Sequence, residues 1–270
     1  MAIIATVLGI ALLIAAWRSG PWLSASDRGF RIAVIACLLV MGAWFAGFEF
    51  TYVALHLIPW DDVIFFDRLP LYVAIVLLLS LCIQRLERRT MRLLVSVIVA
   101  MFSLYAVAEI AAPIPLPFFA QQLSACADGP AEEIQSTGWS CGAAALAWAA
   151  RLHGIPASER QMAELAVTAP LRGTSTRGLL RALHRVGLDA YAIKPGSWED
   201  VLAASKPSLV SWELSATVGH SVVLLGIDEP GDVVLIGDPL LGETQYSREE
   251  FLDGWMGDLI VIDGPSGSVP

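Results

Sequence analysis

Four residues have the types and order that thiol chemistry needs: Gln135, Cys141, His220 and Asp238. Cys141 lies six residues after Gln135, and Gly142 and an alanine-rich run to Gly154 follow it. That run predicts a helix with Cys141 in its first turn. The positive end of a helix lowers a thiol pKa, and the thiolate is the nucleophilic form. Gln135 sits just upstream, where its side-chain amide can turn back toward an oxyanion near the sulfur. Gly142 and Ala143 to Ala145 leave little bulk there, which suggests room for a peptide to approach. Gly219-His220-Ser221 opens an apolar run through Ile227, and Gly237-Asp238-Pro239 closes the next, Val233 to Ile236. Two such runs separated by Glu229-Pro230-Gly231 read as a hairpin that brings His220 and Asp238 to the same end. A histidine held by a carboxylate and facing a thiol is a Cys-His-Asp relay. The competing reading is that Cys141 is merely a small core residue, as most cysteines in apolar helices are.

The order Gln, Cys-Gly six residues on, Gly-His before an apolar run, then Asp-Pro, resembles the bacteriocin-processing cysteine peptidases. These are papain-like domains that cut leader peptides after a double glycine. The resemblance covers about residues 133–263. It implies that Cys141 is the nucleophile, His220 the general base, Asp238 its orienting partner and Gln135 the side-chain donor of the oxyanion hole. No cofactor and no metal are expected. Ser140 departs from the pattern, since that family usually has Asp before the cysteine. No Gly-x-x-x-x-Gly-Lys-Ser/Thr occurs in the chain, which is unlike the transporter-fused members.

Composition separates two regions. With 56% hydrophobic residues and a mean hydropathy of +0.64, the 270-residue chain exceeds ordinary soluble usage. The excess lies before Pro113. From Ala112 onward nine basic residues face nineteen acidic ones, a net charge of −10, against +1 for the first part and −9 overall. An acidic domain argues against a nucleic-acid partner and suits a neutral or basic peptide. The four cysteines form no Cys-x-x-Cys pair or His/Cys cluster that would suggest a metal.

Apolar runs at Ile3–Trp17, Ile32–Phe48, Leu71–Ile83 and Leu93–Ala108 predict four membrane helices, the third the shortest. The first has no basic residue before it and no Ala-x-Ala site after it, which separates it from a signal peptide. Arg18, Arg28 and Arg31 flank the first loop, and Arg85, Arg88, Arg89 and Arg92 crowd the third. Glu49, Asp61, Asp62 and Asp67 dominate the second. The positive-inside rule then puts loops one and three in the cytoplasm and everything after the fourth helix outside, on the periplasmic face of a bacterial inner membrane. The aromatic second loop, Phe50 to Arg68, predicts an interfacial helix. A metal site from His56, Asp61 and Asp62 is not indicated by their spacing.

The expected organisation is a transmembrane region at 1–111, a Pro-rich extended tether at 112–132, a papain-like domain at 133–263 and a disordered tail at 264–270. Within the domain, helices begin at Ser158, at Thr174 or Ser175, at Ser197 and at a capping box Ser247-Arg-Glu-Glu. Strands are expected at Leu188–Ile193, Pro207–Leu214, around the His220/Asp238 hairpin and at Leu259–Asp263. Helices first and mostly strands after make an α+β fold, preceded by an all-α membrane region of about four helices. His153 is expected to face the carbonyls that end its helix, and His184 to pack or lie at the surface. A disulfide between Cys126 and Cys141 would offer an oxidative off-switch.

The chain is expected to be a membrane-anchored, extracytoplasmic cysteine peptidase acting on a peptide or protein substrate, with the lipid bilayer and a secretion or transport partner around it. Two other readings use the same residues. One is a peptide-binding module that does not cut; the other passes the thioester to an amine, as a thiol-dependent amidotransferase.

Overall fold

A computed structural model describes residues 1–50, 52–57, 61–130, 132, 134–170, 172–215, 218–228 and 232–265. The chain forms two compact units, Met1–Ile114 and Pro115–Pro270.

The first unit is helical. Its elements are α1 (Ala2–Leu23), α2 (Asp27–Trp44), α3 (Val53–Leu57), α4 (Leu69–Arg85) and α5 (Arg89–Ala111). Ser26 starts α2 by accepting the Gly29 N–H. Tyr72, Val76 and Ile83 of α4 pack with Leu13 and Ala16 of α1 and with Val99 and Ala106 of α5. The outward faces stay apolar, as at Leu39, Leu93 and Leu104. Four stretches, Ala2–Leu23, Asp27–Phe50, Asp62–Arg85 and Arg89–Ala111, are long and apolar enough to cross a membrane, with mean hydropathies of 2.0 to 2.3. The third stretch joins the end of a 3-10 turn and turn residues 66–68 to α4, which at 17 residues is the shortest of the four long helices, as expected.

The second loop is not the single interfacial helix expected. A π-helical turn continues α2 over Phe45–Phe50, Tyr52 takes a left-handed φ of 50°, and the short α3 precedes a 3-10 turn at Asp61–Phe65. Residues 51 and 58–60 and the side chains of His56 and Asp61 lie outside the described residues. The expected extended tether also differs. Its prolines start α6 (Leu116–Phe119), followed by a 3-10 turn at Ala120–Gln122. Pro115 caps this helix and Pro117 sits in its first turn, where no N–H is needed.

The second unit sets helices against one antiparallel sheet. The helices are α7 (Cys141–Leu152), α8 (Glu159–Leu165), α9 (Thr176–Arg185), α10 (Trp198–Ala203) and α11 (Arg248–Gly254). The strands are β1 (Leu188–Ile193), β2 (Ser208–Ser215), β3 (Val218–Asp228), β4 (Val233–Asp238), β5 (Gly242–Ser247) and β6 (Trp255–Pro265), in the order β1-β6-β2-β3-β4-β5. Ser158, Ser175, Ser197 and Ser247 each accept an N–H at the start of α8, α9, α10 and α11, as their sequences require. All nine residues from Gly142 to Ala150 are buried, which is why α7 carries almost no polar group; it lies against β2, β3 and β4. Val222, Leu224, Val234, Ile236 and Leu259 form a core with Trp198 and Phe251.

Two features depart from expectation. β5, Gly-Glu-Thr-Gln-Tyr-Ser, is an edge strand of mostly polar residues held by pairing to β4. β6 starts at Trp255 and runs to Pro265, so Gly264 and Pro265 of the expected disordered tail pair with β1; residues 266–270 lie outside the described residues. So do residues 229–231, between β3 and β4 in the chain.

Candidate active site

Cys141 is the first residue of α7. The first N–H groups of a helix have no partner within it, so Cys141 and its neighbours present free donors at the sulfur. Ser140 precedes the helix without capping it. Its hydroxyl serves the upstream loop instead, accepting from the Thr137 N–H at 3.1 Å and bonding the Thr137 side-chain and carbonyl oxygens at 2.9 and 3.0 Å. A short side chain at 140 therefore closes the 137–140 turn and leaves the helix end open.

His220 stands near the start of β3 and Asp238 ends β4. Val223 pairs with Gly237, and with a period of two residues this puts 238 on the same sheet face as 220 and 222. His220 Nε2 meets Asp238 Oδ1 at 2.7 Å, with both side chains buried. The Leu240 N–H donates to the same Oδ1 at 2.7 Å, so two bonds fix the carboxylate. The same imidazole is also a hydrogen-bond partner of the Cys141 thiol.

Burial alone would push the Cys141 thiol up. Bonds from His220 and from the Ser221 and Gly142 N–H groups, with the imidazolium charge, outweigh it and hold the thiol below its ordinary value. Burial alone would push His220 down, but its bonds to Asp238 and Cys141 carry it up to about 9. Asp238 is held below the carboxylate range because the His220 bond, the Leu240 N–H and the imidazolium charge exceed the cost of burial. A thiolate–imidazolium pair beside a carboxylate is a nucleophile with its proton donor already charged.

Gln135 belongs to the loop before α7. Its own N–H donates to the Pro239 carbonyl at 2.8 Å, which ties it to the residue after Asp238. Its side-chain nitrogen donates to the Thr137 carbonyl at 2.8 Å, and its side-chain oxygen is buried without a partner among the described residues. An amide nitrogen carries two hydrogens, and this bond uses one.

Other expectations are corrected. Gly142 does not open space for a peptide: a Cβ there would lie 2.8 Å from Thr174 Cβ, and Ala143 to Ala145 are fully buried. Small residues let α7 pack, not substrate enter. His153 ends α7, but its ring bonds the Pro207 carbonyl rather than its own helix; burial still lowers its pKa more than that bond raises it. His184, by contrast, lies at the surface as expected, with Nε2 2.9 Å from the Ala190 carbonyl oxygen. Cys126 and Cys141 are both free thiols, so the disulfide is not formed. Sequence reasoning missed the Ser221 N–H, which no side-chain pattern reveals. It also missed Glu159, a carboxylate with no exposed surface.

The model of the peptidase C39 family matches residues 133–266, the stretch that carries all four of these residues. This chain belongs to the peptidase C39 family. The C39 domain is that of a cysteine peptidase, and no nucleotide-binding cassette accompanies it in the 270 residues. It is 33% identical over 132 residues to an uncharacterized protein of Methanothermobacter thermautotrophicus, covering 49% of this chain and 87% of that one. It is 32% identical over 139 residues to the probable functional amyloid protease FapD of Pseudomonas aeruginosa, covering 48% of this chain and 59% of that one. Among solved structures it is similar to a double glycine motif protease from an AMS/PCAT transporter in complex with the leader peptide, at 24% identity and a TM-score of 0.45, over 52% of this chain and 94% of that one.

Proposed function

We propose that this C39 peptidase is anchored by its four apolar helices in a bacterial inner membrane. It cuts a peptide or leader substrate after small residues such as Gly-Gly, on the extracytoplasmic side. The 2.7 Å bond from His220 to Asp238, on a histidine also bonded to Cys141, carries the catalytic reading. The double-glycine reading is supported by similarity to the lactococcin-G-processing protein LagD of Lactococcus lactis, 29% identical over 122 residues.

In this mechanism the Cys141 thiolate attacks the scissile carbonyl carbon, and the carbonyl electrons move to oxygen. The Cys141 N–H and the Gln135 side-chain nitrogen hold that oxyanion. The tetrahedral species collapses as the C–N bond breaks, and the His220 imidazolium gives its proton to the leaving amine. His220, now neutral, takes a proton from water as the water attacks the thioester. Collapse releases the acid and returns thiolate and imidazolium. Asp238 holds the ring and favours its charged form.

The test is Cys141→Ala in the full chain, assayed by mass spectrometry on a library of glycine-containing peptides. Turnover is expected to fall by about 10³-fold or more. Unchanged cleavage would sink the peptidase assignment to this thiol.

A further inference from the structure

Glu159, at the first turn of α8, is wholly buried, and the Cys141 mechanism does not use it. A buried carboxylate must be satisfied by donors, and the donors found show what it holds. Oε1 accepts the Ser136 N–H at 2.9 Å. Oε2 accepts the Ser124 N–H at 2.9 Å and the Ser136 hydroxyl in a short bond. The Ser124 N–H also reaches the Ser136 hydroxyl, at 3.0 Å. Among the described residues no donor comes from α8 itself; those found belong to two segments far away in the chain.

Ser136 follows Gln135. The Gln135 N–H is held by Pro239 and the next N–H by Glu159, so both peptide groups flanking Gln135 are fixed. The Pro239 anchor belongs to the turn after Asp238, while the Glu159 anchor belongs to a helix that packs on α7. Gln135 is thereby set relative to both the carboxylate and the sulfur. Arg160 adds to the same tie: its N–H donates to the Ser124 carbonyl at 3.0 Å and its guanidinium to the Leu123 carbonyl at 3.1 Å.

We propose that Glu159 is a positioning residue for the peptidase reaction: by accepting the Ser136 and Ser124 donors it holds the Gln135 amide where the oxyanion forms. This rests on the reading of Gln135 as the oxyanion donor. It separates two effects, because Glu159 contacts neither Cys141 nor His220. Its loss acts on the transition state and leaves thiolate reactivity unchanged.

The experiment uses the full-length protein in detergent with a fluorogenic peptide ending in Gly-Gly-aminomethylcoumarin, and iodoacetamide as a thiol probe. Variants are Glu159→Gln, Ser136→Ala, Gln135→Ala and the double variant E159Q/Q135A. For Glu159→Gln the expected result is a kcat lower by about tenfold or more. KM and the rate of Cys141 alkylation should stay within about twofold, and Ser136→Ala should show the same split. In the Gln135→Ala background, E159Q should add no further loss, since both act through one group. An unchanged kcat in folded E159Q, a loss that multiplies fully with Q135A, or a parallel fall in alkylation rate overturns the proposal. A Gln135→Ala variant with wild-type kcat removes the oxyanion reading itself, and the proposal with it.

Discussion

At Cys141, His220 and Asp238, burial opposes charge and hydrogen bonding restores it. Each group loses solvation in a way that favours its neutral form, and its neighbours shift it back toward the charged form by donating to or accepting from that form. The pH profile follows. In the proposed mechanism the imidazolium protonates the leaving amine, so kcat/KM should be lost as pH rises through about 9, where His220 gives up its proton. Asp238 supports the charged ring. Asp238→Asn removes that support and lowers the His220 pKa, so the alkaline limb should move toward neutral by about one pH unit. A profile of kcat/KM from pH 6 to 10 for both proteins checks this; an unmoved alkaline limb contradicts the assigned role of Asp238.

At the scale of elements, close approach between helices sets what may be changed. Gly178 lies in the first turn of α9, and a Cβ there would sit 2.4 Å from the Ala166 carbonyl oxygen, which ends α8. Alanine is the better helix former by about 1 kcal/mol. Overpacking against backbone costs about 1–3 kcal/mol, and a carbonyl cannot turn aside as a side chain can. Gly178→Ala should therefore lower stability, with thermal melting falling by about 2–6 °C. A raised melting temperature would mean that α8 and α9 separate without cost. The serine caps are a gentler lever. Ser175→Ala, which removes the acceptor for the Gly178 N–H, should cost about 1 kcal/mol in the same melt.

The whole molecule pairs an acidic unit with a helical one whose charges are polarised. Asp27 at the start of α2 bonds Arg85 at the end of α4 at 2.7 Å, while Arg68 at the start of α4 bonds Glu109 near the end of α5 at 3.1 Å. Arg28, Arg31, Arg88, Arg89 and Arg92 gather with the first pair, at one end of the helices. In the topology proposed from the positive-inside rule, this end faces the cytoplasm and the end of α5 faces out. Alkaline phosphatase fused after Pro270 should be active in cells, and a fluorescent protein that folds only in the cytoplasm should stay dark. The reverse pattern would place the peptidase unit inside.

Much of this protein is decided by local chemistry and is legible in the chain itself. Serine caps, alanine runs and apolar alternation mark α7 to α11 and most strands because they act over a few residues. The antiparallel pairing of β3 and β4 carries His220 to Asp238 for the same reason: a short connection leaves them little choice of register. The rest required the tertiary structure. β5 is too polar to show a strand pattern and exists because β4 offers it partners. Prolines at 115 and 117 look like an extended tether until a first helical turn accepts them. Gly142 looks like an opening until Thr174 fills the space beside it. Glu159 reads as an ordinary first-turn acid, and only burial joins it to Ser124 and Ser136. Donors and acceptors find each other through space, so their partners are settled when the chain closes on itself and water is excluded.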